Sequence, residues 1–192
     1  MEKSAKIVEA KELERLLRTV RTGRHRQRDK TIILLSFKAG LRACEIAGLD
    51  WSMVTNSSGA LSDSIAISGS IAKNGRARRV PLHPQLKVAL SALKRKSRRV
   101  RAGPVIRSQR GGHLTPGSVV NWFTALYAAA GLQGCSSHSG RRTFITNSAR
   151  LLAKVGGSLR DVQELAGHSA LSSTEVYIAG DRAVQHKLVR ML

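Results

Sequence analysis

Apolar residues recur along this chain with two different periods, and the switch between them separates helical stretches from one short sheet. Over residues 8–20, Val8, Leu13, Leu16, Leu17 and Val20 fall on one helical face with charges opposite, which predicts a helix laid on a core. A second helix is expected over residues 28–39, stopped by Gly40, and a short one over residues 42–48, which puts Arg42 at a helix start. Between residues 50 and 81, Ile and Val alternate with Ser, Gly and Asn punctuation, as in two or three short antiparallel strands. Asn74 followed by Gly75 supports a hairpin with Lys73 at its tip. Helical spacing returns over residues 84–98 and 116–130, the latter with Thr115 as N-cap and Pro116 in the first turn. Residues 141–155 carry Phe144, Leu151, Leu152 and Val155 on a stripe ended by Gly156 and Gly157. Ser158 and Asp161 then form a capping-box pattern for a helix ended by Gly167. The expected fold is α+β, mainly α, with a small antiparallel three-stranded sheet and no internal repeat.

A chain of 192 residues, 42% of them hydrophobic, can bury one substantial core, and a second would be cramped; residues 1–192 are expected to form a single domain. Thirty-three Lys and Arg stand against twelve Asp and Glu, a net charge of +21 that fits a nucleic-acid partner. A ribosomal or membrane-surface protein would also carry such charge, so it names a class of partner and no chemistry. The basic residues cluster at 21–30, 76–79 and 94–101, spread along the chain as expected of a folded surface with several DNA-facing patches. Cys44 and Cys135 read as small buried residues in a reducing compartment, the cytoplasm. The longest apolar run, residues 31–37, is far too short to span a bilayer, and no signal or membrane segment is expected. No close Asp/Glu cluster exists to hold the ions of a metal-dependent transposase or nuclease.

Three segments and one tyrosine carry candidate chemistry. Residues 39–49 read Ala-Gly-Leu-Arg-Ala-Cys-Glu-Ile-Ala-Gly-Leu, residues 138–144 His-Ser-Gly-Arg-Arg-Thr-Phe, and residues 166–169 Ala-Gly-His-Ser; Tyr177 follows His168 by nine positions. In this order and spacing the set resembles the tyrosine recombinase (phage integrase) family, from about residue 8 to residue 192. The resemblance implies that Arg42 and Arg141 hold a scissile phosphate, that His138 and His168 add donors, and that Tyr177 attacks phosphorus. It also implies that Lys73 is the hairpin lysine and that Glu45 supports the pocket without reacting. The implied activity is site-specific recombination of duplex DNA through a 3′-phosphotyrosyl intermediate, in integration, excision or inversion, with no cofactor. The implied assembly is a homo-oligomer on DNA, expected to be a tetramer, associated with the nucleoid, with accessory DNA-bending proteins as further candidate partners. A helix over residues 182–192, with Val184, Leu188, Val189 and Leu192 on one apolar face, would dock on a neighbouring protomer or fold back on its own domain.

The residue types suit that chemistry independently. In-line attack on a phosphodiester puts extra negative charge on the non-bridging oxygens, which planar guanidinium groups bind two at a time. The phenol, with an ordinary pKa of about 10, needs a cationic pocket or a base, for which His138 is a reasonable acceptor. The leaving 5′-oxygen needs a proton, which a Lys on a mobile hairpin tip can supply. Other readings stay open. Cys135, His138 and His168 have ligand-like spacing for zinc, although no fourth ligand is evident. Tyr177 could simply pack, and Glu45 could be a local ion-pair partner of Arg42. A type IB topoisomerase uses the same pocket, and a DNA-binding regulator could keep the fold without strand exchange.

Two positions depart from the family pattern: Gly140 and Ala166 stand where Leu is common. Gly140 is expected to loosen its helix by up to about 1 kcal/mol. The family's N-terminal clamp domain has no room before residue 8. The chain therefore reads either as a single-domain member, similar to the fimbrial phase-switch recombinases, or as an excised catalytic domain.

Overall fold

Two helices open the chain, α1 (Ala10–Thr19) and α2 (Arg26–Ala39), and α2 becomes the centre of the core. The structure is a computed structural model that describes residues 5–96, 102–175, 177 and 189–190. Along α2, Ile32, Ile33, Leu34, Leu35 and Phe37 are buried, and Thr31 and Ser36 are buried between them. The charged residues Arg26, Arg28, Asp29 and Lys30 confine this burial to the second half of α2, whose run of large apolar side chains has no stable place except inside a core. After it come α3 (Ala43–Gly48), a single 3-10 turn (Trp51–Met53), β1 (Ser64–Ile67) and β2 (Arg78–Pro81). These are followed by α4 (Pro84–Lys96), α5 (Pro116–Ala129), α6 (Ser139–Val155), α7 (Leu159–Ala166) and α8 (Ser172–Glu175). Helix α2 packs against α4 and α6, α3 against α5, and α7 against α6, α8 and β2.

The caps legible in the sequence are formed. Thr115 Oγ1 accepts the Ser118 N–H (3.1 Å) at the start of α5, and the Asp161 carboxylate accepts the Ser158 N–H (2.7 Å) at the start of α7. Cys44 and Cys135, expected to be buried, are free and half-buried.

Among the described residues the sheet has two strands, where three were expected. β1 and β2 pair antiparallel, with Ser64 opposite Pro81 and Ile67 opposite Arg78. Upstream, the Asp50 carboxylate accepts the N–H groups of Ser52 and Gly103 (both 3.1 Å), which commits residues 51–53 to the 3-10 turn. The chain then reverses tightly at Asn56, whose side chain accepts the Ala60 N–H (2.9 Å), leaving only the isolated bridge Thr55–Leu61 where a third strand would lie. The expected helix over residues 182–192 lies outside the described residues except for 189–190, where Val189 is exposed.

Gly140 has a packing role that its helix-weakening effect had hidden. A Cβ there would overlap Ser36 Oγ and come within 2.9 Å of the Phe37 ring, so the bare backbone lets α6 lie close against α2. That approach sets the position of Arg141, the next residue.

Candidate active site

Gly40 ends α2 in the left-handed conformation (φ 63°), and a Cβ on it would strike the Phe144 ring. The turn that follows brings Arg42 to the N-terminus of α3 in extended backbone. One turn on, the wholly buried Glu45 accepts the Arg42 backbone N–H (2.8 Å). Its main partner is Arg78, whose Nη1 and Nη2 donate to the two carboxylate oxygens at 2.6 and 2.8 Å, while the Arg42 guanidinium stands off at 3.5 Å. Burial alone would raise the Glu45 pKa; the Arg78 hydrogen bonds and charge, with the Arg42 N–H, outweigh it and hold the carboxyl below its ordinary range. The ion pair with Arg42 that the sequence left open is present at that longer distance. Arg78 takes up most of the carboxylate and leaves the Arg42 guanidinium only loosely engaged, with 15% of its side chain exposed.

Sequence reasoning placed Arg78 only in a basic cluster. It shares a face of β2 with buried Val80, however, and strand alternation turns it inward, where its side chain is 7% exposed. Its Nε donates to the Leu165 carbonyl (3.1 Å) at the end of α7. Arg141, 4% exposed in the first turn of α6, donates to the Gly40 carbonyl (2.7 Å) and to the Ala166 carbonyl. Two guanidinium groups thus satisfy the last carbonyls of α7, the negative end of that helix, and tie it to α2, α3 and β2. Burial, with the nearby charges of Arg42 and Arg78, pushes Arg141 down to about 9, which leaves it protonated at neutral pH.

Gly167 turns the chain out of α7 and presents His168, whose backbone N–H donates to the Gln163 carbonyl (3.1 Å). The Gln163 amide returns a bond to the His168 carbonyl (3.1 Å). The imidazole lies 2.9 Å, Nδ1 to Oγ1, from buried Thr174 and stacks on the Tyr177 ring, centroids 5.9 Å apart and planes 20° apart. Burial and the charges of Arg141, Arg42 and Arg78 push His168 down to about 4, so the ring is neutral at pH 7. Arg142 also lies over the Tyr177 ring, its guanidinium carbon 5.6 Å from the centroid.

The structure therefore brings Arg42, Glu45, Arg141, His168 and Tyr177 together. His138 lies exposed at the N-cap of α6, one turn before Arg141. Lys73 is exposed in a tight turn, with the Gly75 N–H donating to the Ala72 carbonyl (3.1 Å), on the loop that leads into β2. No hydrogen bond or ion pair among the described residues joins it to the pocket. The second tyrosine, Tyr127, is stacked on Phe123 in the core, 2% exposed, and its burial drives its pKa upward. Cys135, His138 and His168 do not gather as metal ligands; among the described residues no three His, Cys, Asp or Glu side chains do.

Beside the pocket, Arg76, Arg79, Arg160, Gln163, His168 and Ser169 line an open cleft of about 430 Å³. The sequence model of the phage integrase family matches residues 6–183. The chain belongs to the phage integrase family. Tyrosine recombinase XerC of Brucella suis biovar 1 (strain 1330) is 35% identical over 158 residues, covering 80% of this chain and 47% of the relative. The chain spans about half the length of the curated relatives it matches. Among solved structures, the integrase from mycobacterium phage Brujita is 28% identical with a TM-score of 0.63, covering 92% of this chain and 54% of that one. XerH site-specific recombinase, solved bound to difH substrate in a pre-cleavage complex, has a TM-score of 0.72 at 22% identity over 98% of this chain and 55% of that one. At that identity the likeness is one of fold, and it confirms the mainly helical architecture with its small antiparallel sheet. No helix among the described residues is long and apolar enough to cross a membrane.

Proposed function

We propose that this chain is the catalytic domain of a site-specific recombinase that cuts and rejoins duplex DNA through a 3′-phosphotyrosyl intermediate. The observation that carries the reading is the stacking of Tyr177 on a neutral His168 beside Arg141 and Arg42, in a pocket whose positive charge is only partly offset by Glu45. In the proposed reaction, the Tyr177 phenolic oxygen forms a bond to phosphorus while the bond to the 5′-oxygen breaks. Arg42 and Arg141 bind the non-bridging oxygens, where negative charge grows, and His168 donates to one of them. His138 takes the phenol proton, and Lys73 delivers a proton to the departing 5′-oxygen. The reverse attack by a 5′-hydroxyl rejoins the strand and frees Tyr177.

Two basic surfaces support duplex DNA as substrate. One is the arginine-lined cleft beside the pocket; the other is a cleft where His25, Arg28, Lys96 and Arg107 converge from distant parts of the chain. The DNA-bound structural neighbour and the recombinase relatives point the same way. The reading extends to assembly as a homo-oligomer on DNA, with the segment over residues 182–192 as the candidate link between protomers, and to action at the nucleoid in the cytoplasm.

The test is covalent capture. The full chain is incubated, with excess chelator, with a pool of nicked duplexes of randomised sequence, and the protein–DNA adducts are recovered on denaturing gels and sequenced. The reading expects adducts on a restricted set of sequences. Specific binding without any adduct would favour a DNA-binding regulator, and adducts only after magnesium or zinc is restored would contradict the mechanism. On the recovered duplex, Lys73→Ala should be defective and should regain cleavage when the 5′-bridging atom is sulfur, a leaving group that needs little protonation. Failure of sulfur to rescue it would return Lys73 to phosphate positioning.

A further inference from the structure

We propose that Thr174 is a positioning residue that fixes the proton of the neutral His168 ring on Nε2, so that this ring meets the phosphate as a donor. The inference rests on the recombinase reading for its consequence, although not for the tautomer itself.

Thr174 is wholly buried, and among the described residues its Oγ1 has one hydrogen-bond partner, His168 Nδ1 at 2.9 Å. A threonine hydroxyl carries one proton and must place it on an acceptor when buried. If Nδ1 carried the imidazole proton and donated it, the hydroxyl proton would be left without an acceptor among those residues. If the hydroxyl donates to an unprotonated Nδ1, both groups are satisfied by one bond. The proton of the neutral ring then sits on Nε2, the nitrogen that Thr174 does not touch.

The choice matters because a neutral imidazole has one donor and one acceptor. With Nε2 protonated, the ring can donate to a non-bridging oxygen; with Nε2 bare, it would set a lone pair against an anion. Burial together with Arg141, Arg42 and Arg78 keeps the ring neutral at pH 7, so the tautomer decides its role. Thr174 also sets the nucleophile, since its carbonyl accepts the Tyr177 N–H (3.0 Å) while the Tyr177 ring stacks on His168. One buried residue thus holds the histidine by its side chain and the tyrosine by its main chain.

The experiment has two readouts on the full chain. First, ring 15N resonances of labelled protein are recorded at pH 7 by long-range proton–nitrogen correlation, with His168 assigned through its loss in His168→Gln. The proposal expects a protonated Nε2 and a bare Nδ1 in the unsubstituted protein and in Thr174→Ser, and mixed tautomers in Thr174→Val. A protonated Nδ1 in the unsubstituted protein would overturn it. Second, on a nicked duplex recovered by covalent capture, Thr174→Val should slow adduct formation about ten- to a hundredfold with DNA affinity retained, and Thr174→Ser should largely restore it. Thr174→Val cleaving at the unsubstituted rate would also overturn it. If no duplex yields an adduct, the recombinase reading fails while the nitrogen spectrum still decides the tautomer.

Discussion

A carboxylate with no access to water is stable only if its partners replace what hydration gave it, and Glu45 meets that condition chiefly through Arg78. Removing Arg78 would leave a buried negative charge and strip a donor from the end of α7. Arg78→Ala is therefore expected to destabilise the fold by about 3–5 kcal/mol. Glu45→Gln combined with Arg78→Met should lose less than the sum of the single changes, because the pair is removed as a pair. Urea denaturation of the four proteins measures this, and additive losses would show that the two side chains act separately. The signal for Arg78 was present in the sequence: it stands two positions before the apolar Val80 in a strand, and alternation puts both on one face. The neighbouring arginines masked it, since in a cluster of like charges nothing local says which one turns inward.

At the level of elements, the sequence was most legible where structure is decided within a few residues. Thr115, Ser158 with Asp161, and the terminating Gly40 and Gly167 all sit at the helix ends their chemistry predicts. It was least legible where a distant element decides. The third strand gave way where the Asp50 carboxylate binds the N–H groups of Ser52 and the distant Gly103, and Gly140 reads as a weakness until α2 is placed against it. Replacing Gly140 with Ala raises helix propensity by about 1 kcal/mol. Yet the new methyl must displace Ser36 and Phe37, and overpacking of this kind costs about 1–3 kcal/mol. Gly140→Ala should lower the melting temperature, with Ser36→Gly in the same chain recovering part of the loss. A Gly140→Ala chain more stable than the original would mean that α6 can move away from α2 without penalty.

Across the whole molecule, charge and the candidate catalytic residues combine differently from their order in the sequence. Arg42, Arg141, His168 and Tyr177 come from four separate stretches and meet at the end of α7, whereas Lys73 and His138 are exposed, one on the loop into β2 and the other at the N-cap of α6. The motif spacing identified the members of this set; the clasp of Arg78 and Arg141 on the α7 carbonyls could be seen only in the fold. Arg28 with Lys96 and Arg107 line one cleft, and Arg76 with Arg79 and Arg160 line another, so on the proposed function DNA affinity should rest largely on phosphate contacts. If about six to ten phosphates are neutralised, affinity should fall by about a thousandfold or more between roughly 50 and 200 mM salt. A nearly flat salt titration would assign the +21 net charge to some other purpose. The central claim is that Tyr177 is the nucleophile, and the chain offers its own control, since its other tyrosine, Tyr127, is sealed in the core. The decisive measurement is peptide mapping by mass spectrometry of the covalent adduct trapped on a nicked duplex, repeated with Tyr177→Phe. The account predicts a nucleotide bonded to Tyr177 and no adduct at all in Tyr177→Phe, with DNA binding intact; an adduct that persists in Tyr177→Phe, or maps to any other residue, would contradict it.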